Sequence, residues 1–215
     1  MDEGDDLSGR IIDRAMALAA ERGWRRTGML EVARAAGVPA GELYRRFPDR
    51  PALLAGVSRR ADAAVLAGGE PPPVGSGGGG AEEESPRDRL FDVMMRRFDA
   101  LQPYRPGLAA VLRDLPREPL TALAFARQYA RSMAWMLRAA GIDPDRPGGA
   151  VLVAGLCSVQ ARVMRVFVGD DSEDLSRTMA ALDAELRRAE SLAGTLCRGR
   201  RRASPAAPTP EPAAG

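Results

Sequence analysis

The sequence predicts an all-α protein, and three observations carry that expectation. Ala, Leu and Arg are abundant while aromatic residues make up only 5%, a mixture that favours helix over strand. Apolar residues recur at three- and four-residue spacing, with Gly and Pro at the breaks, which is the helical period. No run alternates Val, Ile, Thr and aromatic residues as a half-buried strand would. A chain of 215 residues with 45% apolar content can bury a sizeable core, as one large domain or as a small domain plus a medium one. The 28% of charged residues is ordinary for a soluble protein.

The first helix is expected over 8–23. Ile11, Ile12, Ala15, Leu18 and Ala19 share one face, Ser8 caps the start and Gly23 ends it, since glycine accepts the left-handed conformation that closes helices. Met29 to Ala36 is a short second helix with Val32 and Ala33 inward, stopped by Gly37. Pro39 suits a first helical turn, so a third short helix runs from Ala40 to Arg46, and Pro48 breaks it. Asp49 caps a fourth helix that continues to about Leu66, with Pro51 in its first turn.

Residues 68–86 read GGEPPPVGSGGGGAEEESP, a composition that cannot pack and predicts a linker. Ser85 and Pro86 reopen helix, with Leu90, Phe91, Met94, Met95, Phe98 and Leu101 on its apolar side and Pro103 at its end. A short helix over 106–115 follows, and Pro116 and Pro119 bracket a turn. Leu120 to Ala140 forms a long helix ended by Gly141, and another spans 148–168. Ser172, with Glu173 and Asp174 against the helix dipole, is expected to cap the last helix, which ends near Cys197. The tail 198–215 is basic, then rich in Pro and Ala, and reads as disordered.

Charge narrows the function classes. All 31 basic residues are Arg, and the net charge is only +2. Between Arg10 and Arg60, however, eleven arginines face five acids, which suits a phosphate-facing surface. The chain contains no His, so no Ser–His or Cys–His pair can form and an enzyme is not expected. The GSGGGG run lies in the Pro-rich linker, follows no strand and is no phosphate loop. Cys157 and Cys197 fit reduced thiols of a cytoplasmic protein rather than a zinc site. Ala150 to Val168 is the most apolar stretch but carries Gln160, Arg162 and Arg165, so it reads as a buried helix and not a membrane span. Asp170, Asp171, Glu173 and Asp174 read as a capped, solvated first turn rather than a metal site. No cofactor is expected.

Three short helices around a Gly37 turn are the geometry of a helix-turn-helix, whose second helix enters the DNA major groove. The residues sharpen this. IIDRAMALAAERGW, EVARAAGV and GELYRRFPDRPALL make the stretch from Ile11 to Val57 resemble the TetR family of transcriptional regulators. The resemblance implies a TetR-like fold, an N-terminal three-helix DNA-binding domain plus a C-terminal helical bundle. It implies that Thr27 and Tyr44 meet phosphate and that Gly41 lets the third helix approach the DNA backbone. Arg45 and Arg46 then lie on or beside the recognition helix, Arg50 stands where the family commonly has Lys, and Leu43 and Phe47 are core. Arg25 and Arg26 join this surface as cations. The family pattern is departed from at Pro39, Ala40 and Glu42. Ala40 stands where a cation is usual, which removes one phosphate contact. Glu42 could accept a hydrogen bond from cytosine or repel phosphate.

The same resemblance implies that the second domain forms a homodimer through its last two helices and holds a small apolar ligand that releases a repressor from its operator. Met95, Phe98, Phe125, Tyr129, Trp135, Met136 and Met164 are the expected pocket residues. Met and aromatic side chains at helical spacing are equally the material of a plain core. The segments SPRDRLFDVMMRRFDALQPYRPGL and DDSEDLSRTMAALDAELRRAE also resemble a TetR-like family of non-enzymatic lipid-binding proteins of ubiquinone biosynthesis, which leaves an isoprenoid or lipid carrier as the alternative. The expected division is 8–67 for DNA, 68–86 linker, 87–197 for ligand and dimer, and 198–215 tail.

Overall fold

Helical spacing of apolar residues runs through the whole architecture. The computed structural model describes residues 3–68 and 85–202, and contains no strand among them. The helices are α1 Glu3–Arg22, α2 Met29–Ala36, α3 Ala40–Arg46, α4 Arg50–Leu66, α5 Pro86–Leu101, α6 Arg105–Asp114, α7 Pro119–Ala139, α8 Gly149–Phe167 and α9 Ser176–Arg202. Single 3-10 turns at Trp24–Arg26, Gln102–Tyr104 and Leu115–Arg117 join α1 to α2, α5 to α6 and α6 to α7. Most of the expected linker and the end of the expected tail lie outside the described residues.

Two expected caps are corrected. Helix α1 begins at Glu3, so Ser8 lies inside it. Helix α9 begins at Ser176, and Ser172 sits in the preceding turn, from where its hydroxyl still accepts from the Ser176 amide at 3.0 Å. That turn is organised by Asp170, which is fully buried. Its carboxylate accepts from the amide and hydroxyl of Thr178, both at 2.7 Å, and from the amide and hydroxyl of Ser172. Burial alone would raise the Asp170 carboxyl, but these donors outweigh it and hold it below the usual carboxylate range. The backbone of Leu175 is left-handed at φ 53, a conformation that costs a branched residue about 1–2 kcal/mol. The Leu175 side chain is buried in the core, which offsets it. Helix α9 extends through 198–202, so that part of the expected tail is helical.

Helix α4 has apolar or small residues all round its middle, and Leu53 to Ser58 are buried without interruption. A helix buried on every side belongs at the centre of a packing arrangement, and α4 touches α1, α5 and α7. One apolar core therefore runs from Ile11 in α1 to Leu186 in α9, across the boundary expected at residue 67. The chain divides there; the packing does not.

Helices α1 and α6 form the second seam between the two halves. They meet at Gly107, where an added Cβ would come within 2.5 Å of the Met16 carbonyl oxygen. That neighbour is backbone and cannot swing aside. Gly107→Ala is therefore expected to cost about 1–3 kcal/mol by overpacking, although alanine is the better helix former. At Gly41, where nothing lies within 4 Å of such a Cβ, the same change is expected to be neutral or stabilising. Thermal unfolding of the two variants measures the contrast, and equal shifts would refute the close seam.

Candidate nucleic-acid interface

The helix-turn-helix is built by local bonds. At the start of α2 the Glu31 carboxylate accepts from the Gly28 amide at 3.3 Å, which satisfies one of the unpaired amides of a helix start. At its end Gly37 takes the left-handed conformation at φ 66. Its amide donates to the Arg34 carbonyl at 3.1 Å and the Val38 amide to the Ala33 carbonyl at 3.0 Å, which closes α2 and turns the chain. Pro39 then enters α3 at φ −60, which proline prefers. Leu43 and Phe47 are buried and fix α3 against the core.

With that side held, the opposite side of α3 faces outward. Ala40, Gly41, Tyr44 and Arg45 are exposed, and Tyr44 is 68% exposed. An aromatic side chain so far out makes no use of its apolar area within this chain. Arg25 and Arg26 are exposed on the 3-10 turn before α2. Glu42 forms ion pairs with both Arg45 and Arg46, so this surface carries an internally balanced acid and two cations. The pairs are short-range on one helix and also pre-arrange the two guanidinium groups. Between α1 and the end of α2, an open cleft of about 420 Å³ is lined by Arg10, Asp13, Arg14 and Arg34 with Ala35–Gly37, which adds exposed arginines on α1.

Two expected contacts are placed elsewhere. Thr27 is 1% exposed, and its hydroxyl donates to the Gly23 carbonyl at 3.1 Å. It stabilises the turn after α1 and does not face phosphate. Arg50 turns back into the protein. It pairs with Glu118, donates to the Arg25 carbonyl at 3.3 Å and lies 5.2 Å from the centre of the Trp24 ring. Next to it, the Arg25 amide donates to Asp114 at 3.1 Å and holds that carboxyl below its usual range. Glu118 and Asp114, which sequence analysis did not single out, thus tie the segment before α2 to the junction of α6 and α7.

The expected pocket residues line neither of the two open clefts at the surface. Phe98, Met136 and Met164 are buried, together with Met94 and Met133; Phe98 stacks on Phe167 with ring centres 5.1 Å apart. Met95, Phe125 and Tyr129 are half-buried, and the Phe125 and Tyr129 rings lie 5.6 Å apart. Trp135 is corrected: it is 47% exposed, with Arg138 over its ring, because it lies on the far side of α7 from Met133 and Met136. A further open cleft of about 440 Å³ lies between α1 and the start of α6, away from all of these residues.

Among these apolar side chains lies a polar cluster that composition did not reveal. Arg97 of α5 is 2% exposed and pairs with Asp62 of α4. It also donates to the Ser58 hydroxyl at 3.0 Å, and the Ser132 hydroxyl of α7 donates to Asp62 at 2.7 Å. Burial raises the Asp62 carboxyl above its usual range despite Arg97 and Ser132. Burial also pushes up the Tyr129 hydroxyl, within electrostatic reach of Arg97 and of Cys157. Gln160 of α8 is wholly buried. The only signal in the sequence was position: Arg97 follows Val93 and precedes Leu101 on one helical face.

Residues 11–57 match the family described as bacterial regulatory proteins, tetR family. The fold is similar to a TetR transcriptional regulator from Nitrosomonas europaea ATCC 19718, at 21% identity and TM-score 0.60, covering 86% of this chain and 99% of that one. It is similar to a TetR transcriptional regulator from Rhodococcus sp. RHA1 at 23% identity and TM-score 0.56, covering 86% and 98%. At these identities the likeness shows the fold. No curated protein matches the chain.

Proposed function

From the premise that residues 11–57 are a tetR-family segment on a TetR-like helical fold, we propose that this protein is a dimeric DNA-binding transcriptional repressor released by a small apolar ligand. One observation carries the DNA contact. Tyr44 and Arg45 stand in solvent on a short helix whose other side is pinned by buried Leu43 and Phe47. Arg25 and Arg26 flank them as phosphate contacts, while Arg50 and Thr27 act by holding the turn that presents the two arginines. Dimerisation through α8 and α9 is supported by the exposed apolar side chains of Val151 and Met179 and suits paired half-sites about one helical turn apart. The work of such a regulator is in the cytoplasm, where its operator is.

Release requires a ligand that prefers one of two arrangements. In this fold the signal passes through α4, which is packed between the helix-turn-helix and α5 and α7, and through the ties of Arg50 to Glu118 and of Arg25 to Asp114. The experiment titrates the protein with fragments of its own upstream DNA and an unrelated fragment at several salt concentrations. One palindromic fragment is expected to be preferred. Tyr44→Ala and Arg45→Ala are each expected to weaken that binding by about 1–3 kcal/mol. Equal, weak binding to every fragment would overturn the proposal and turn attention to lipids that co-purify.

A further inference from the structure

The open cleft between α1 and the end of α2 gathers three arginines with little to balance them. Arg10 and Arg14 of α1 and Arg34 of α2 line it, together with one acid, Asp13, and with Ala35, Ala36 and Gly37. All three arginines are exposed. Among the described residues none of the three has an ion pair, whereas Arg22 pairs with Glu31, Arg45 and Arg46 with Glu42, Arg50 with Glu118 and Arg60 with Asp13. Asp13 is already engaged. Its Oδ1 accepts from the Tyr104 hydroxyl at 2.9 Å and from Arg60 at 3.3 Å.

Such an arrangement works against the fold. Arg10 and Arg14 stand one turn apart on α1, and like charges at that spacing repel. The helix dipole accounts for a cation at Arg34, in the last turn of α2, but for neither arginine of α1. An anion received from outside would satisfy all three. There is room for one: the cleft is open, holds about 420 Å³, and nothing lies within 4 Å of a Cβ added at Gly37.

The chemistry of the anion follows from shape and charge. A guanidinium group is a planar fork that meets phosphate oxygens two at a time. Three cations less one acid leave a cleft charge of +2. A phosphate monoester carries about −1.5 to −2 at neutral pH, and a nucleic-acid backbone brings phosphates in series. A lone carboxylate supplies a single charge. None of the exposed residues of α3 lines the cleft, but Gly37 belongs to the turn that leads into α3.

We propose that Arg10, Arg14 and Arg34 form an oxyanion site, separate from α3, that takes a phosphate group. As a site for DNA phosphate it rests on the reading of the protein as a DNA-binding regulator; as a site for a free phosphate compound it does not.

The test compares wild type with two triple variants of the full chain. One carries Arg10→Gln, Arg14→Gln and Arg34→Gln. The control loses the same charge at Arg127, Arg131 and Arg146, which are exposed on α7 and the loop after it. Glutamine suits a helix about as well as arginine, and removing the repulsion on α1 should keep the cleft variant at least as stable as wild type. Thermal unfolding is measured with sodium pyrophosphate against sodium chloride at equal ionic strength. Pyrophosphate at several times its dissociation constant is expected to raise the melting temperature of wild type and control by about 2–4 °C, and to leave the cleft variant unmoved. DNA binding is measured against salt on an upstream operator fragment and an unrelated one. If the phosphate is DNA's, the slope of log affinity against log salt falls by about 1 for each cleft that engages the duplex. It does so on both fragments, because phosphate carries no sequence, and the control keeps its slope. An unchanged slope with the pyrophosphate response lost only in the cleft variant assigns the site to a free phosphate compound. Neither effect, or equal effects in both triple variants, overturns the proposal. Failure of wild type to prefer any fragment removes the regulator reading while the pyrophosphate arm still decides the site, and an intact preference with neither effect removes the site alone.

Discussion

Arg97→Met is expected to destabilise the protein by about 3–5 kcal/mol, the usual cost of removing one partner from a buried ion pair. The loss comes mainly from what is left behind. Asp62 would remain between α4, α5 and α7 with only the Ser132 hydroxyl donating to it, and the Ser58 hydroxyl would lose its donor. Burial already raises the Asp62 carboxyl against the pull of Arg97. Without the guanidinium it rises further, and the folded state then holds a proton that the unfolded state releases at about pH 4. A group that binds its proton more tightly when folded makes stability fall as pH rises. The variant should therefore lose stability from about pH 4 upward, more steeply than the wild type, until Asp62 ionises in the folded state. Urea unfolding at pH 4 and pH 7 measures this. The double variant Asp62→Leu with Arg97→Met removes both charges and is expected to recover much of the loss. A near-neutral effect of Arg97→Met alone would mean that water reaches the cluster.

The helix-turn-helix was legible because its signals are local. Pro39, Gly37, Asp49 and Pro51 act within a few residues of themselves, so α2 and α3 fall at their expected bounds. The pairing of Glu42 with Arg45 and Arg46 was not anticipated, although acids and bases three and four residues apart on a helix meet. The misplaced caps show the limit of such signals. Ser8 and Ser172 are good capping residues, but helix α1 gains from extending past Ser8, and the turn before α9 is set by Asp170, whose partner Thr178 lies eight residues on. The direction of a side chain around a helix depends on which neighbour arrives, and sequence does not reveal that. Thr27 turned inward and Trp135 turned outward for this reason. Arg50 was expected on DNA, yet its partner Glu118 is 68 positions away. Arg97 was not singled out, because Asp62 and Ser132 reach it only through the packing of α4 and α7.

Trp24→Ala is expected to cost about 3–5 kcal/mol, the range for truncating a large buried aromatic side chain, and Trp24→Phe only a fraction of that. Trp24 is 0% exposed in the 3-10 turn between α1 and α2. Its ring fills the space between that turn and α6 and carries the Arg50 guanidinium on its face, a contact that phenylalanine preserves in weaker form. The indole Nε1 has no partner, so phenylalanine removes an unpaired donor and gives back part of what the smaller ring loses. The two variants also separate packing from DNA contact. Trp24 does not reach solvent, while Arg25 and Arg26 beside it do. Operator affinity at a temperature where all three proteins are folded should hold for Trp24→Phe and weaken for Trp24→Ala. In the alanine variant Arg50 loses its aromatic support, and the turn that carries the two arginines is held by Asp114 and Glu118 alone. Denaturant unfolding and fluorescence anisotropy with a labelled operator measure the two effects. If Trp24→Phe were as destabilising as Trp24→Ala, the indole N–H would have to be a bonded structural group, and the junction of the DNA-binding segment with α6 would be held by that bond rather than by packing.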